Sequence, residues 1–155
     1  MITGKSRQSR VLAVASGGGH WVQLMRLRAS FAGHRVSYAT VDRSHRNDVA
    51  SAAFYRIPDA NRSQKFRLLL LLLRLAWIVV RVRPHTIVTT GAAPGYLAIR
   101  IGKLIGARTL FLDSMANADK LSLSAILAER HADLLLTQWQ HLAKREGPQY
   151  RGSVI

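Results

Sequence analysis

Six short apolar runs, set between stretches with helical periodicity, constrain the fold of this chain more than any other feature. The runs at 11–15, 35–41, 53–57, 85–90, 108–113 and 132–137 read as strands. Between them, Trp21, Leu24, Met25, Leu27 and Phe31 mark a helical face, and 63–82, 94–105, 121–130 and 139–145 read as further helices. The stretch after residue 41 is polar and basic and reads as a connection. A strand that reaches its parallel neighbour through a helix does so by a right-handed crossover. The expected fold class is therefore α/β, a Rossmann-like and mainly parallel sheet with helices on both faces. Residues 1–155 read as one domain with a flexible basic tail at 1–9, and neither a repeat nor a linker interrupts it.

Composition removes several function classes. The chain has no cysteine, which excludes a disulfide scaffold, a thiolate zinc site and a cysteine nucleophile. At 48% hydrophobic residues it can bury a real core and does not read as disordered. The net charge is +15, and residues 1–83 hold 15 basic against 3 acidic residues while 84–155 hold 8 against 5. Arginine supplies 18 of the 23 cations. Such an excess suits an anionic partner, since guanidinium groups match phosphate geometry, but an arginine-rich genome gives the same count. The apolar run at 11–15 is too short for a signal peptide core.

The stretch 63–83 is expected to associate with a membrane. Of the 17 residues from 66 to 82, only Arg67, Arg74 and Arg81 are polar, and their sevenfold spacing lines them up as one narrow stripe. Seventeen residues rise about 25 Å, short of a bilayer span, and arginines are costly in its centre. A helix in an α/β domain needs one apolar face, so a second surface must cover the rest. One reading lays it in the membrane interface, with Phe66, Leu69, Leu72 and Trp77 in contact with lipid and the arginines reaching headgroups. The other buries it against another subunit.

Two loops carry the candidate chemistry. Ser16, Gly17, Gly18, Gly19 and His20 join the first strand to the first helix, where α/β sheets bind ligands. Glycines let the backbone approach a phosphate, and a helix start offers free N–H groups; a tight structural turn uses the same residues. The run fits neither the dinucleotide fingerprint nor a P-loop. His20 can contact a diphosphate or take a proton from an attacking hydroxyl, or it can simply end a helix. Thr90, Gly91, Ala92, Pro94 and Gly95 repeat the design after a later strand, with Pro94 near a first helical turn. Asp113 and Ser114 stand at the end of a third strand, and Asn117, Asp119 and Lys120 follow in its loop, as rim residues or as caps. The histidines show no metal-ligand spacing, so no metal site is expected. Aromatics form no base-stacking platform, which argues against a nucleic-acid partner despite the charge.

Taken together, 16–20, 90–94, Phe111-Leu112-Asp113-Ser114, and Ala132-Asp133-Leu134 with Gln138-Trp139 resemble the membrane-anchoring, acceptor-side subunit of two-subunit glycosyltransferases. That family includes the subunit of the enzyme adding the second GlcNAc to dolichyl-diphosphate GlcNAc, and bacterial capsule and exopolysaccharide homologues. The histidine-ended loop is also similar to the acceptor loop of the peptidoglycan lipid-linked GlcNAc transferase, a single-chain relative of GT-B fold. The resemblance covers about residues 10–155 and implies the N-terminal, acceptor half of a GT-B fold.

It further implies a polyprenyl-diphosphate saccharide acceptor held at the two glycine loops, with His20 as base or diphosphate contact. Asp113 departs from the longer carboxylate that relatives carry there, and the eukaryotic relatives' N-terminal transmembrane helix has no counterpart before the first strand. The UDP-sugar donor belongs on a separate catalytic subunit, expected to dock through the C-terminal segment near Trp139 to Ile155, so this chain binds no cofactor and is inactive alone. The implied location is the cytoplasmic face of a bacterial inner membrane, beside an anionic surface. A non-catalytic membrane scaffold for the same partner is the rival expectation, and a nucleic-acid-binding α/β domain the more distant one.

Overall fold

A computed structural model of the chain describes residues 8–154. Seven strands form one sheet: β1 (Arg10–Val14), β2 (Arg35–Thr40), β3 (Ala53–Arg56), β4 (Thr86–Thr89), β5 (Arg108–Leu112), β6 (Leu134–Thr137) and β7 (Gln149–Tyr150). Their order is β3-β2-β1-β4-β5-β6-β7, and every pairing is parallel. Residues 1–7 of the expected tail lie outside the described residues, and the Ser9 carbonyl already accepts the Arg35 N–H at 3.0 Å.

The α/β expectation holds, and the pleat explains it. In β1, Leu12 and Val14 face one core while Val11 and Ala13 face another. Four helices cover these faces: α1 (Gly18–Arg26), α2 (Lys65–Val82), α3 (Ala92–Leu104) and α4 (Leu123–Ala128). Leu71, Leu75, Ile78 and Val79 of α2, with Ala98 of α3, close the first core. Trp21 and Leu24 of α1, with Phe31, close the second. Trp21 is 2% exposed, and burying a side chain of that size contributes roughly 3 kcal/mol.

Three local expectations change. The helix expected through Phe31 ends at Arg26 and continues as a 3-10 turn, Arg28–Phe31. The basic connection contains a 3-10 segment, Arg43–Val49, capped by the Asp42 carboxylate accepting from Ser44 N–H at 2.8 Å. The helix expected at 139–145 shrinks to one turn, Gln140–Leu142, because the chain must reverse there: Lys144 N–H bonds the Pro148 carbonyl at 2.8 Å and delivers β7 to the sheet edge. That seventh strand, two exposed polar residues long, carries no apolar signal.

Candidate functional site

Strands β1 and β4 are neighbours at the middle of the sheet, yet the chain leaves them toward opposite faces, through α1 and through α3. Such a switch point opens a crevice at the carboxyl ends of the strands. Both candidate loops lie there.

The loops share one backbone design. Gly17 is extended and Gly18 is left-handed at φ +52°, opening α1; Gly91 sits at φ +122° and Ala92 at φ +60°, opening α3. Ala92 and Arg83 are the two non-glycine residues with positive φ among the described residues. A left-handed alanine is strained by about 1–2 kcal/mol, a feature that clusters at ligand sites. Neither helix has a side-chain cap or an acidic residue in its first turn, so their leading N–H groups are left for something else. The Ser16 carbonyl accepts from Thr40 Oγ1 and from Val41 N–H, which ties the first loop to β2. Pro94 and Gly95 are buried in the first turn of α3, and a Cβ on Gly95 would overlap the Thr89 side chain.

His20 joins the two loops. Its Nδ1 lies 2.7 Å from the Thr90 carbonyl, and Thr90 Oγ1 donates to the His20 carbonyl at 2.7 Å. A carbonyl only accepts, so Nδ1 carries a proton, and in the neutral ring Nε2 holds the lone pair. The ring fits because residue 91 is glycine: a Cβ there would come within 3.0 Å of Cε1.

Asp113 stands at the end of β5 but is turned inward. It is 2% exposed, its Oδ1 accepts from Ser114 N–H and Asn117 Nδ2, and its Oδ2 accepts from Ser122 N–H. Asp113 thus organises the loop instead of presenting a carboxylate at the rim, and Asn117 is held by it. Ser114 is buried too, its Oγ accepting from Gln23 Nε2 at 3.1 Å. Asp119 and Lys120 are exposed.

Two glutamines complete the platform: Gln23, which sequence reasoning passed over, and Gln138, which it quoted only within the motif that carries the resemblance. Gln23 Nε2 also donates to the Gly19 carbonyl, and Gln23 Oε1 accepts from Met115 N–H and Gln138 Nε2. Gln138 Nε2 donates to the Asp113 carbonyl, and its Oε1 accepts from Val154 N–H. The available signal was an amide at position 23 inside the apolar stripe of the first helix.

On α2 the face away from the core is open. Phe66, Leu69, Leu70, Leu73, Trp77 and Val80 are 42–72% exposed, and Leu72 is 37% exposed. Arg67 and Arg81 are exposed on its flank. Arg74 is engaged, its Nε donating to the Arg56 carbonyl at 3.2 Å and its guanidinium lying 4.7 Å from the Trp77 ring. No helix among the described residues is long and apolar enough to cross a membrane.

Solved structures share this architecture. MurG of Acinetobacter baumannii matches 95% of the chain with a TM-score of 0.75 and 12% identity. A UDP-N-acetylglucosamine 2-epimerase of Rickettsia bellii matches 96% with a TM-score of 0.71 and 11% identity. A glycosyltransferase of Rickettsia africae matches 85% with a TM-score of 0.60 and 14% identity. The chain has the fold of one Rossmann-like half of a GT-B protein. It spans 46%, 46% and 37% of those three chains, so more than half of each has no counterpart here. No family model and no curated protein matches the sequence.

Proposed function

We propose that this chain is the acceptor-side, membrane-associated subunit of an inverting, UDP-sugar-dependent glycosyltransferase that builds lipid-linked saccharide for a surface polysaccharide. The observation that carries the reading is the His20–Thr90 latch, which holds two uncapped glycine loops together at the switch point and leaves Nε2 as a proton acceptor. The polyprenyl-diphosphate acceptor sits with its diphosphate on the free N–H groups of α1 and α3. Its lipid runs toward the apolar face of α2, which lies on the cytoplasmic side of an anionic membrane.

A separate subunit supplies the UDP-sugar. The acceptor hydroxyl oxygen forms a bond to the anomeric carbon as the bond from that carbon to the UDP oxygen breaks. UDP leaves, and the hydroxyl proton passes to His20 Nε2. Transferases and epimerases share the fold, and it is the sequence of the two loops that favours transfer.

The test is transferase activity in membranes containing this chain, with and without its donor-binding partner, given UDP-sugars and a lipid-diphosphate acceptor. Activity should require both chains, and His20→Ala in the complex should lower kcat about 10²–10⁴-fold. Activity from the partner alone would reduce this chain to a scaffold, and full turnover in His20→Ala would remove the base.

A further inference from the structure

At the other end of the sheet, away from His20, four arginines surround a cavity that nothing so far explains. Arg10, Arg35, Arg81 and Arg83 line it together with Ser37, Ala53, Tyr55 and Val82, and it measures about 480 Å³. Arg10 and Arg35 are in-register partners on β1 and β2. They lie two residues before Leu12 and Ser37 and share their face, so both point to the α2 face of the sheet. Like charges directly opposite on paired strands repel, and Arg81 and Arg83 add two more from the end of α2. The ion pairs among the described residues, Lys103–Asp133 and His45–Asp48, leave all four arginines out.

The cavity is also shaped for a ligand. Arg10 Nε donates to the Arg83 carbonyl at 2.7 Å, which anchors that guanidinium, and its terminal nitrogens have no partner among the described residues. Ser37 is 6% exposed, lines the cavity, and its hydroxyl makes no hydrogen bond to a described residue. Tyr55 forms the wall toward α2 and packs edge-on against Trp77, ring centroids 6.1 Å apart.

We infer that this cavity binds a phosphate group, clamped by the guanidinium forks of Arg10, Arg35 and Arg81 with the Ser37 hydroxyl as an added donor. Arginine forks match the oxygens of a phosphate in pairs. The phosphate comes either from a lipid headgroup or from a soluble phosphate compound. The exposed Trp77 and Val80 beside Arg81 favour the headgroup.

The probe is inorganic pyrophosphate added to the full chain, read by thermal denaturation. A ligand bound only by the folded state raises Tm, so the wild-type chain and His20→Ala should both be stabilised by several degrees. In Arg35→Gln plus Arg81→Gln that rise should fall to the part that the glycine loops contribute, and vanish when Gly19→Ala is added, while the Tm without ligand should be equal or higher because repulsion is relieved. An undiminished rise in the double variant, or no rise in the wild type, would overturn the site. Arg35→Lys, which keeps the charge but loses the fork, should weaken pyrophosphate binding several-fold. Flotation with phosphatidylglycerol vesicles then separates the sources: release by pyrophosphate assigns the site to a headgroup, and retention assigns it to a soluble phosphate. Because the cavity and His20 lie at opposite ends of the strands, this site and the transferase reading can fail separately.

Discussion

The three glycines of the first loop are not equivalent. Gly17 leaves 3.2 Å between its absent Cβ and Val41 Cγ2, and Gly18 needs its left-handed φ of +52°. Gly19 has neither constraint, since nothing lies within 4 Å of a Cβ built on it. A structural turn accounts for the first two glycines and gives no reason for the third, whereas the proposed diphosphate, approaching the backbone closely, would. Gly19→Ala should therefore fold with unchanged stability or a gain of about 0.5–1 kcal/mol, while the assembled complex loses tenfold or more in kcat/KM for the lipid-diphosphate acceptor. Gly91→Ala should behave oppositely, losing about 1–3 kcal/mol through its φ of +122° and its pressure on the His20 ring. Denaturant titration beside acceptor kinetics distinguishes the two. The motif spacing made both loops legible, because strand, small residues and helix follow each other locally. The His20–Thr90 contact spans 70 positions, and no local pattern encodes it.

Elements were legible where one physical signal dominated them. Strands β1, β4 and β5 are buried runs, and α2 shows its core stripe at Leu71, Leu75, Ile78 and Val79. The Arg43–Val49 segment buries only Val49, and β7 buries nothing, so neither had a periodicity to read. The open face of α2 makes its own prediction. Leu69→Asp with Leu73→Asp changes residues that are 50% and 58% exposed, so the fold should survive. Sedimentation with anionic vesicles should fall at least tenfold; unchanged sedimentation of the folded variant would point to a protein partner on that face. At the start of β5 and β6, Asp133 accepts from Lys103 Nζ and from Thr109 N–H and Oγ1. The Lys103 bond, ahead of those from Thr109, holds its pKa below the ordinary carboxylate value. A depressed carboxylate stabilises above its unfolded pKa of about 3.9 and loses that contribution as pH falls through the folded value. Asp133→Asn should lower Tm by a few degrees at pH 7, and the gap should close below about pH 4.

At the scale of the molecule, the buried amides couple parts that the sheet alone does not. Gln23 on α1, Ser114 and Met115 after β5, Gln138 after β6 and the Val154 amide form one hydrogen-bonded set. Arg26 adds a bond to the Val154 carbonyl at 2.9 Å. Residues 151–154 thereby lie along an apolar groove formed by Phe31, Val88, Leu110, Leu112 and Leu136. The segment expected to meet a donor-binding partner is thus wired to the helix that presents the first glycine loop. Replacing the central amide tests that wiring. Gln138→Leu strands Gln23 Oε1 with one donor fewer and removes the acceptor of the Val154 N–H. Unsatisfied buried groups cost about 1–3 kcal/mol, so the global Tm should fall by several degrees. Amide exchange at Val154 should accelerate far more than exchange in β1 and β4. If Val154 kept its protection, packing in the groove would hold the segment without the amide. The first loop would then be free of whatever docks at the C-terminal segment, and acceptor binding should not respond to the partner.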